Sequence, residues 1–166
     1  MDKKATIIIS LLIVGILFGG TIYLSNLSDG ATVEKAQGAK IGIVEANYDF
    51  GDVKYSGGNV THAYKIKNEG TQDLVIANIF TSCMCTQAFF KNGDFKSESF
   101  GMKGHSSESA FKGVLKPKEE AEIVAVYDPT AHGPQGIGPI ARTISFDTND
   151  PDKPYVELGF AAVVAK

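Results

Sequence analysis

The chain has 166 residues and carries 16 basic and 19 acidic side chains, which give a formal net charge of −3. This length suits one folded domain with short additions. Nucleic acids and anionic lipid surfaces select for clustered Lys and Arg, so the mildly acidic balance argues against a nucleic-acid partner.

The N-terminal segment is the most apolar part of the chain. Residues 5–24 read "ATIIISLLIVGILFGGTIYL" and contain no charged side chain. A helix needs about 20 such residues to cross a hydrocarbon core of roughly 30 Å, so the segment predicts a transmembrane helix that serves as a signal anchor. A cleaved signal peptide is the alternative, although its apolar region is usually shorter, about 7 to 15 residues.

The charges beside this segment predict its orientation. Lys3 and Lys4 precede it, and the positive-inside rule places such residues in the cytoplasm. Residues 1–4 are then a cytoplasmic stub, the cell membrane is one partner of the chain, and the rest lies in the periplasm or outside the cell. Residues 25–40 are small and polar without hydrophobic periodicity, which predicts a flexible linker. Residues 41–166 remain as the folded domain.

The predicted domain contains short segments rich in Val, Ile, Tyr and Phe, separated by Gly, Asn, Asp and Pro. In "HAYKIKN" the apolar Tyr64 and Ile66 alternate with Lys65 and Lys67, which is the pattern of a half-buried strand. Four more segments have strand character: "LVIANIF" from Leu74, "AEIVAVYDP" from Ala121, "ARTISFDT" from Ala141 and "YVELGFAAVVA" from Tyr155. Their spacing predicts an all-β fold, an immunoglobulin-like antiparallel sandwich of about seven strands.

Four sequence blocks of the domain occur in a characteristic order between Tyr48 and Ala165. They read "YDFGDV", "THAYKIKNEGTQDLVIANIFTSCMCT", "LKPKEEAEIVAVYDP" and "ISFDTNDPDKPYVELGFAA". This set resembles the bacterial DUF1573 family, including its S-C-x-C-T signature. The resemblance implies an extracytoplasmic immunoglobulin-like module similar to PapD-type domains. It implies no biochemical role, because none is established for the family.

Two segments depart from the usual pattern of that family. A long insertion rich in Gly, Ser, Lys and Phe follows the cysteines and reads "FFKNGDFKSESFGMKGHSSESAFKGV". The loop "TAHGPQGIGPI" precedes the strand segment "ARTISF". Loops of this length in a compact domain are usually functional or disordered. The insertion carries His105 and the loop carries His132, so both segments bring a potential ligand to the domain.

The chain holds two cysteines, Cys83 and Cys85, within "TSCMCT". On a straight strand, residues i and i+2 point to the same face with their α-carbons about 6.6 Å apart. A disulfide between them needs a shorter, turned backbone, so the sequence predicts strain in an internal bridge. Three roles for the pair remain open.

The first role is structural, because free Cys is among the most buried residue types. Odd-numbered residues from Val75 to Cys85 share one face of a straight strand, but Leu74, Ile76 and Phe80 make the other face equally apolar. The sequence does not decide which face is the core. The second role is redox chemistry or an intermolecular disulfide, and it requires a helix N-terminus or nearby cations, neither of which accompanies "TSCMCT" along the chain.

The third role is a Cu(I) site. Two thiolates on one face form a pair of soft ligands, and thiolate or thioether donors select Cu(I) over harder ions. Met102 and His105 in the insertion complete the predicted ligand set with Cys83 and Cys85. Met84 and His132 are weaker candidates.

No catalytic site is predicted. The chain offers three histidines and no nucleophile motif, and His62 alternates with Tyr64 and Ile66 as a packed strand residue does. The predicted function is therefore a non-catalytic interaction or assembly module that pairs an edge strand with an unknown protein partner. The alternative is a Cu(I)-binding metal carrier that uses the cysteine pair.

Overall fold

The computed structural model describes residues 3–25, 30–106 and 109–166. They fall into two units, residues 1–30 and residues 31–166. The cytoplasmic stub and the linker predicted from the sequence lie partly outside the described residues, at positions 1–2 and 26–29.

In the described part of the first unit, the chain forms an α-helix, α1, over Lys3–Ser25. A helix is predicted here because residues 5–24 are uncharged and mostly apolar. Among the described residues, however, no helix combines the length and the apolar character that crossing a membrane requires. The predicted transmembrane helix over residues 5–24 is thus present as a helix but not supported as a membrane span.

In the residues that the structure describes, the second unit contains ten strands in two five-stranded sheets, numbered along the chain. The first sheet has the order β1 (Ile41–Ile43), β3 (Val60–Asn68), β8 (Glu120–Tyr127), β5 (Thr86–Asn92) and β6 (Phe95–Lys96). The second has the order β2 (Asn47–Lys54), β10 (Tyr155–Ala165), β9 (Gly138–Thr148), β4 (Leu74–Thr81) and β7 (Lys112–Leu115). One core cluster takes side chains from both sheets, so the two sheets form a sandwich.

The five segments with strand character in the sequence all form strands, namely β3, β4, β8, β9 and β10. The predicted count of about seven is too low, because β1, β6 and β7 have only 3, 2 and 4 residues and carry no readable alternation. The predicted antiparallel pairing also needs one correction. Strands β2 and β10 pair in parallel, while the other pairs are antiparallel.

Alternation in β3 places Tyr64 and Ile66 in the core, as the sequence predicts. The hydroxyl of Tyr64 crosses the core and donates a hydrogen bond to the carbonyl oxygen of Gly159 on β10, at 2.6 Å. A buried hydroxyl needs such a partner. This contact therefore ties the first sheet to the second without leaving a polar group unsatisfied. His62 on the same strand stacks on Tyr48, with ring centroids 3.6 Å apart, and is a packed strand residue as predicted.

Strand β4 changes its buried face halfway along. Leu74 and Ile76 are buried before a register irregularity, and Ile79 and Thr81 are buried after it. Asn78 lies at the irregularity with φ of 51°, a left-handed conformation that Asn adopts more readily than most residues. A bulge of this kind inserts one residue and reverses the side-chain alternation.

Residues 31–40, which the sequence assigns to the linker, lie against the sandwich. Ala31 and Ala39 are buried, and the backbone N–H of Ala36 donates to the carbonyl oxygen of Asn149 at 2.8 Å. The insertion after the cysteines is also structured where it is described. It contributes β6 and parts of β5 and β7, and Phe100 forms an isolated β-bridge with Ala88.

Candidate thiol and metal site

Two connections between the sheets lie side by side at one end of the sandwich. Residues 82–85 lead from β4 in the second sheet to β5 in the first, and residues 128–137 lead from β8 back to β9. Strand pairing brings Thr86 opposite Tyr127. The N–H of Asp128 then donates to the carbonyl oxygen of Cys85 at 2.9 Å, so the cysteine turn and the histidine loop are held in contact.

The cysteine turn is organised by hydrogen bonds from buried threonine. The hydroxyl of Thr81 contacts the carbonyl oxygens of Cys83 and Thr86, each at 3.0 Å. The N–H of Thr86 donates to the carbonyl oxygen of Cys83 at 3.1 Å, which closes the turn. The α-carbons of Cys83 and Cys85 are thereby brought to 5.2 Å, and their sulfur atoms form a disulfide.

This pairing corrects the expectation that an internal bridge is disfavoured. That expectation assumed a straight strand with α-carbons about 6.6 Å apart, whereas the chain turns between β4 and β5. The shorter separation lies within the range usual for disulfides. Both cysteines are also buried members of the core cluster, but their sulfur atoms are bonded to each other and are not the free thiols that the structural role assumed.

Two side chains from distant parts of the chain contact the sulfur atoms. The Nε2 atom of His132 lies 3.0 Å from Sγ of Cys83. The Nε–H of Arg142 donates to Sγ of Cys85 at 3.2 Å. The sequence shows no cation next to the cysteines along the chain. In the folded protein, however, the guanidinium of Arg142, which always carries a positive charge, contacts Cys85.

The local backbone positions both groups. Asp128 accepts hydrogen bonds from the N–H and the hydroxyl of Thr130 at 2.8 and 2.7 Å, an Asx-type turn that starts the histidine loop. Gly133 follows with φ of 64°, and a short 3-10 turn over Gly133–Gly136 ends the loop. Arg142 lies on β9 and donates through Nη1 to the carbonyl oxygen of Ala141 at 2.7 Å.

An open pocket of about 600 Å³ covers this end of the sandwich. It is lined by Ser82, Cys83, Met84, Met102, His105, His132, Ala141 and Arg142. The pocket thus gathers all the residues that the sequence named as ligands except Cys85. Among the described His, Cys, Asp and Glu residues, the ligand atoms of Cys83, Cys85 and His132 lie within 4.8 Å of one another. His105, which the sequence predicts as the histidine ligand, is not part of that group. His132, the weaker candidate, occupies that position instead.

Arg142 was not among the residues singled out from the sequence. Its signal was the alternation of "ARTISF", because Arg142 shares a strand face with Ile144 and Phe146, which are both buried. A polar side chain on the inward face of a strand needs hydrogen-bond partners. Arg142 finds them in Sγ of Cys85 and the carbonyl oxygen of Ala141.

Tyr127 lies beside the site at the end of β8 and is buried. Burial raises the pKa of its hydroxyl above the ordinary tyrosine value, and the charge of Arg142 opposes that rise. Tyr127 is therefore neutral at physiological pH. The guanidinium of Arg142 is a charged group in direct contact with Sγ of Cys85.

Residues 41–101 match the family model "Protein of unknown function (DUF1573)". The match includes both cysteines but ends before His132 and Arg142. No curated protein matches the chain significantly.

Comparison with solved structures finds several similar chains. A protein of unknown function from Porphyromonas gingivalis W83 is 20% identical with a TM-score of 0.59, over 80% of this chain and 50% of that protein. The chain thus spans half the length of that protein. PapD-like domain 7 of human CEP192 is 14% identical with a TM-score of 0.47, over 81% of this chain and 91% of the domain. The periplasmic chaperone SfaE is 7% identical with a TM-score of 0.42, over 76% of this chain and 59% of that protein.

Proposed function

We propose that this sandwich, in which residues 41–101 match the DUF1573 family model, is a non-catalytic binding module for Cu(I). The observation that supports the proposal is the group of three ligand atoms from Cys83, Cys85 and His132, all within 4.8 Å of one another. Two sulfur donors and one imidazole suit a soft monovalent metal better than a hard cation.

Copper binding requires the reduced form of the cysteine pair. The disulfide must take up two electrons and two protons to give two thiols, and the thiols release protons when they bind metal. Two thiolates and one Cu(I) carry a net charge of −1. Arg142, whose Nε lies 3.2 Å from Sγ of Cys85, compensates that charge in a buried setting.

The proposal is tested by a competition titration of the full chain with Cu(I) against a chromogenic chelator under reducing conditions. We expect one equivalent to bind to the wild type and none to bind to the Cys83→Ser, Cys85→Ser double variant. His132→Ala should weaken the affinity at least about tenfold, because one of three ligands is lost. His132 is exposed, so this change should leave the fold intact.

His105→Ala is the matched control, since His105 lines the same pocket but lies outside the group of three. Its affinity should equal that of the wild type. A loss with His105→Ala and none with His132→Ala would instead favour the ligand set with Met102 and His105. If folded, reduced wild type binds no copper, the metal proposal is wrong. The predicted interaction with a protein partner would then remain, with the edge strands β1, β6, β2 and β7 as the surfaces to examine.

We also propose that the sandwich lies outside the cytoplasm. The support is the uncharged segment of residues 5–24 with Lys3 and Lys4 before it, together with a disulfide, which persists in oxidising compartments. A fusion of alkaline phosphatase after Lys166 should be active, because that enzyme needs its own disulfides. An inactive fusion that is expressed at full length would place the sandwich in the cytoplasm.

A further inference from the structure

We infer that the Cys83–Cys85 disulfide exchanges with external thiols, that Cys83 is the sulfur attacked and that Cys85 is the leaving thiolate. This activity goes beyond copper binding, because it needs no metal. Its substrate class is a cysteinyl thiol, either in a small molecule or in an extended peptide.

The accessibility of the two sulfur-bearing residues indicates which one is attacked. Cys83 lines the open pocket and is 8% exposed, whereas Cys85 does not line it and is 2% exposed. Met84 between them is 63% exposed, so the turn itself faces solvent. A thiol that enters the pocket therefore meets Cys83 first, and access decides which sulfur of a disulfide reacts.

The charge beside Cys85 indicates which sulfur leaves. The Nε–H of Arg142 points at Sγ of Cys85 at 3.2 Å, and the hydroxyl of Thr86 lies 3.7 Å from the same atom. Both groups can stabilise the negative charge that develops on this sulfur as the disulfide opens. A better-stabilised leaving thiolate speeds exchange.

The exchange is balanced in two steps. An external thiolate attacks Sγ of Cys83, a new bond forms between the two sulfurs, and the bond to Cys85 breaks with both electrons left on Cys85. A second external thiolate then attacks the external sulfur of the mixed disulfide and releases Cys83. Two thiols are oxidised to one disulfide, and the Cys83–Cys85 pair is reduced by two electrons.

A trapping experiment on the full chain tests the assignment. The oxidised protein is mixed with reduced glutathione in the presence of a metal chelator and quenched with N-ethylmaleimide, and the modified peptide is fragmented between the two cysteines. We expect glutathione on Cys83 and the maleimide on Cys85. Glutathione on Cys85 and the maleimide on Cys83 would overturn the assignment. A Cys83–Cys85 disulfide that glutathione reduces only in the unfolded protein would overturn it as well.

Variants of Arg142 test its role in the first step of the exchange. Arg142→Gln should slow the first step roughly threefold to tenfold, and Arg142→Lys should restore much of the rate, because exchange depends on the stability of the leaving thiolate. Lys65→Gln removes an exposed charge elsewhere and should not change the rate. An Arg142→Gln protein that is folded and reacts as fast as the wild type would refute this part.

A parallel series with a short peptide that contains one cysteine distinguishes the two sources of thiol. If the mixed disulfide forms faster with the peptide than with glutathione, the substrate is a polypeptide. If it forms faster with glutathione, the substrate is a small thiol. Because no metal is present, failure of this exchange and failure of copper binding are separate outcomes.

Discussion

Replacement of Asn68 by Ala is expected to lower the free energy of unfolding by about 3–5 kcal/mol, since buried polar groups that lose their partners cost about 1–3 kcal/mol each. Asn68 is fully buried at the end of β3. Its Nδ2 donates to the carbonyl oxygens of Gln72 at 2.8 Å and Leu115 at 2.9 Å. Its Oδ1 accepts the N–H of Gly70 at 2.9 Å. The side chain thus joins the turn after β3 to the end of β7, and Ala removes all three of these hydrogen bonds to backbone groups.

Urea denaturation of the variant and the wild type measures this loss. Asn59→Ala is the matched control, because Asn59 is exposed in the turn before β3, and such a change usually alters stability by less than about 0.5 kcal/mol. A loss below about 1 kcal/mol for Asn68→Ala would mean that water or a neighbouring group satisfies the three backbone groups after the change.

The strands of the sandwich were predictable where burial imposes alternation. β3, β8, β9 and β10 each run for 8 residues or more, and their buried positions follow every second residue over most of their length. β6 has two exposed residues, so no period could be read from it. The parallel pairing of β2 with β10 is a long-range feature that no local pattern encodes.

Strand β4 shows why its buried face could not be derived from the sequence. Leu74 and Ile76 suggest one face, and Ile79, Thr81 and Cys83 suggest the other. Both suggestions are correct, because the bulge at Asn78 reverses the alternation. The side chain of Asn78 donates to the carbonyl oxygen of Ala31 and to Oδ2 of Asp147, at 2.9 and 2.8 Å. These contacts with distant residues fix the bulge, so the local sequence alone gives an ambiguous pattern.

The cysteine site was also predictable only in part, because its neighbouring side chains come from distant parts of the chain. The motif and its soft-ligand chemistry are local features, and both were visible in the sequence. The identity of the neighbouring groups depends on two connections that cross between the sheets at one end of the sandwich. His132 and Arg142 are 49 and 57 residues from their sulfur partners. Spacing along the chain therefore favoured His105, whereas the topology brings His132 to Cys83.

The proposed copper binding and the proposed thiol exchange use the same cysteine pair in two oxidation states. The oxidised pair has no thiolate to offer a metal, so copper binding must follow reduction. In the proposed exchange, the reduced state forms inside the same pocket once a second external thiolate has released Cys83 from the mixed disulfide. A thiol donor would then control when the site accepts copper, and the order of the two steps follows from chemistry alone.

Replacement of Asp150 by Ala is expected to lower the free energy of unfolding by about 3 kcal/mol, because its carboxylate satisfies three backbone N–H groups at a buried position. One oxygen, Oδ2, accepts the N–H of Ile41 at 2.9 Å. The other, Oδ1, accepts those of Asp152 and Lys153 at 2.8 and 3.3 Å. Asp150 and Ile41 are 2% and 1% exposed, so water cannot readily replace the carboxylate.

Thermal and urea unfolding of Asp150→Ala, with Asp152→Ala as the matched control, measure the effect. Asp152 is exposed and takes part through its backbone N–H, so its side chain should contribute little. Asp150→Asn retains one acceptor oxygen, so its free energy of unfolding should fall between those of the wild type and Asp150→Ala.

Hydrogen exchange tests the local part of this effect. The carboxylate of Asp150 connects the start of β1 to the turn before β10. Amide exchange at Ile41 should therefore accelerate in Asp150→Ala more than amide exchange in β8. Equal acceleration in both strands would show that the loss is global, and that β1 is not held by this carboxylate in particular.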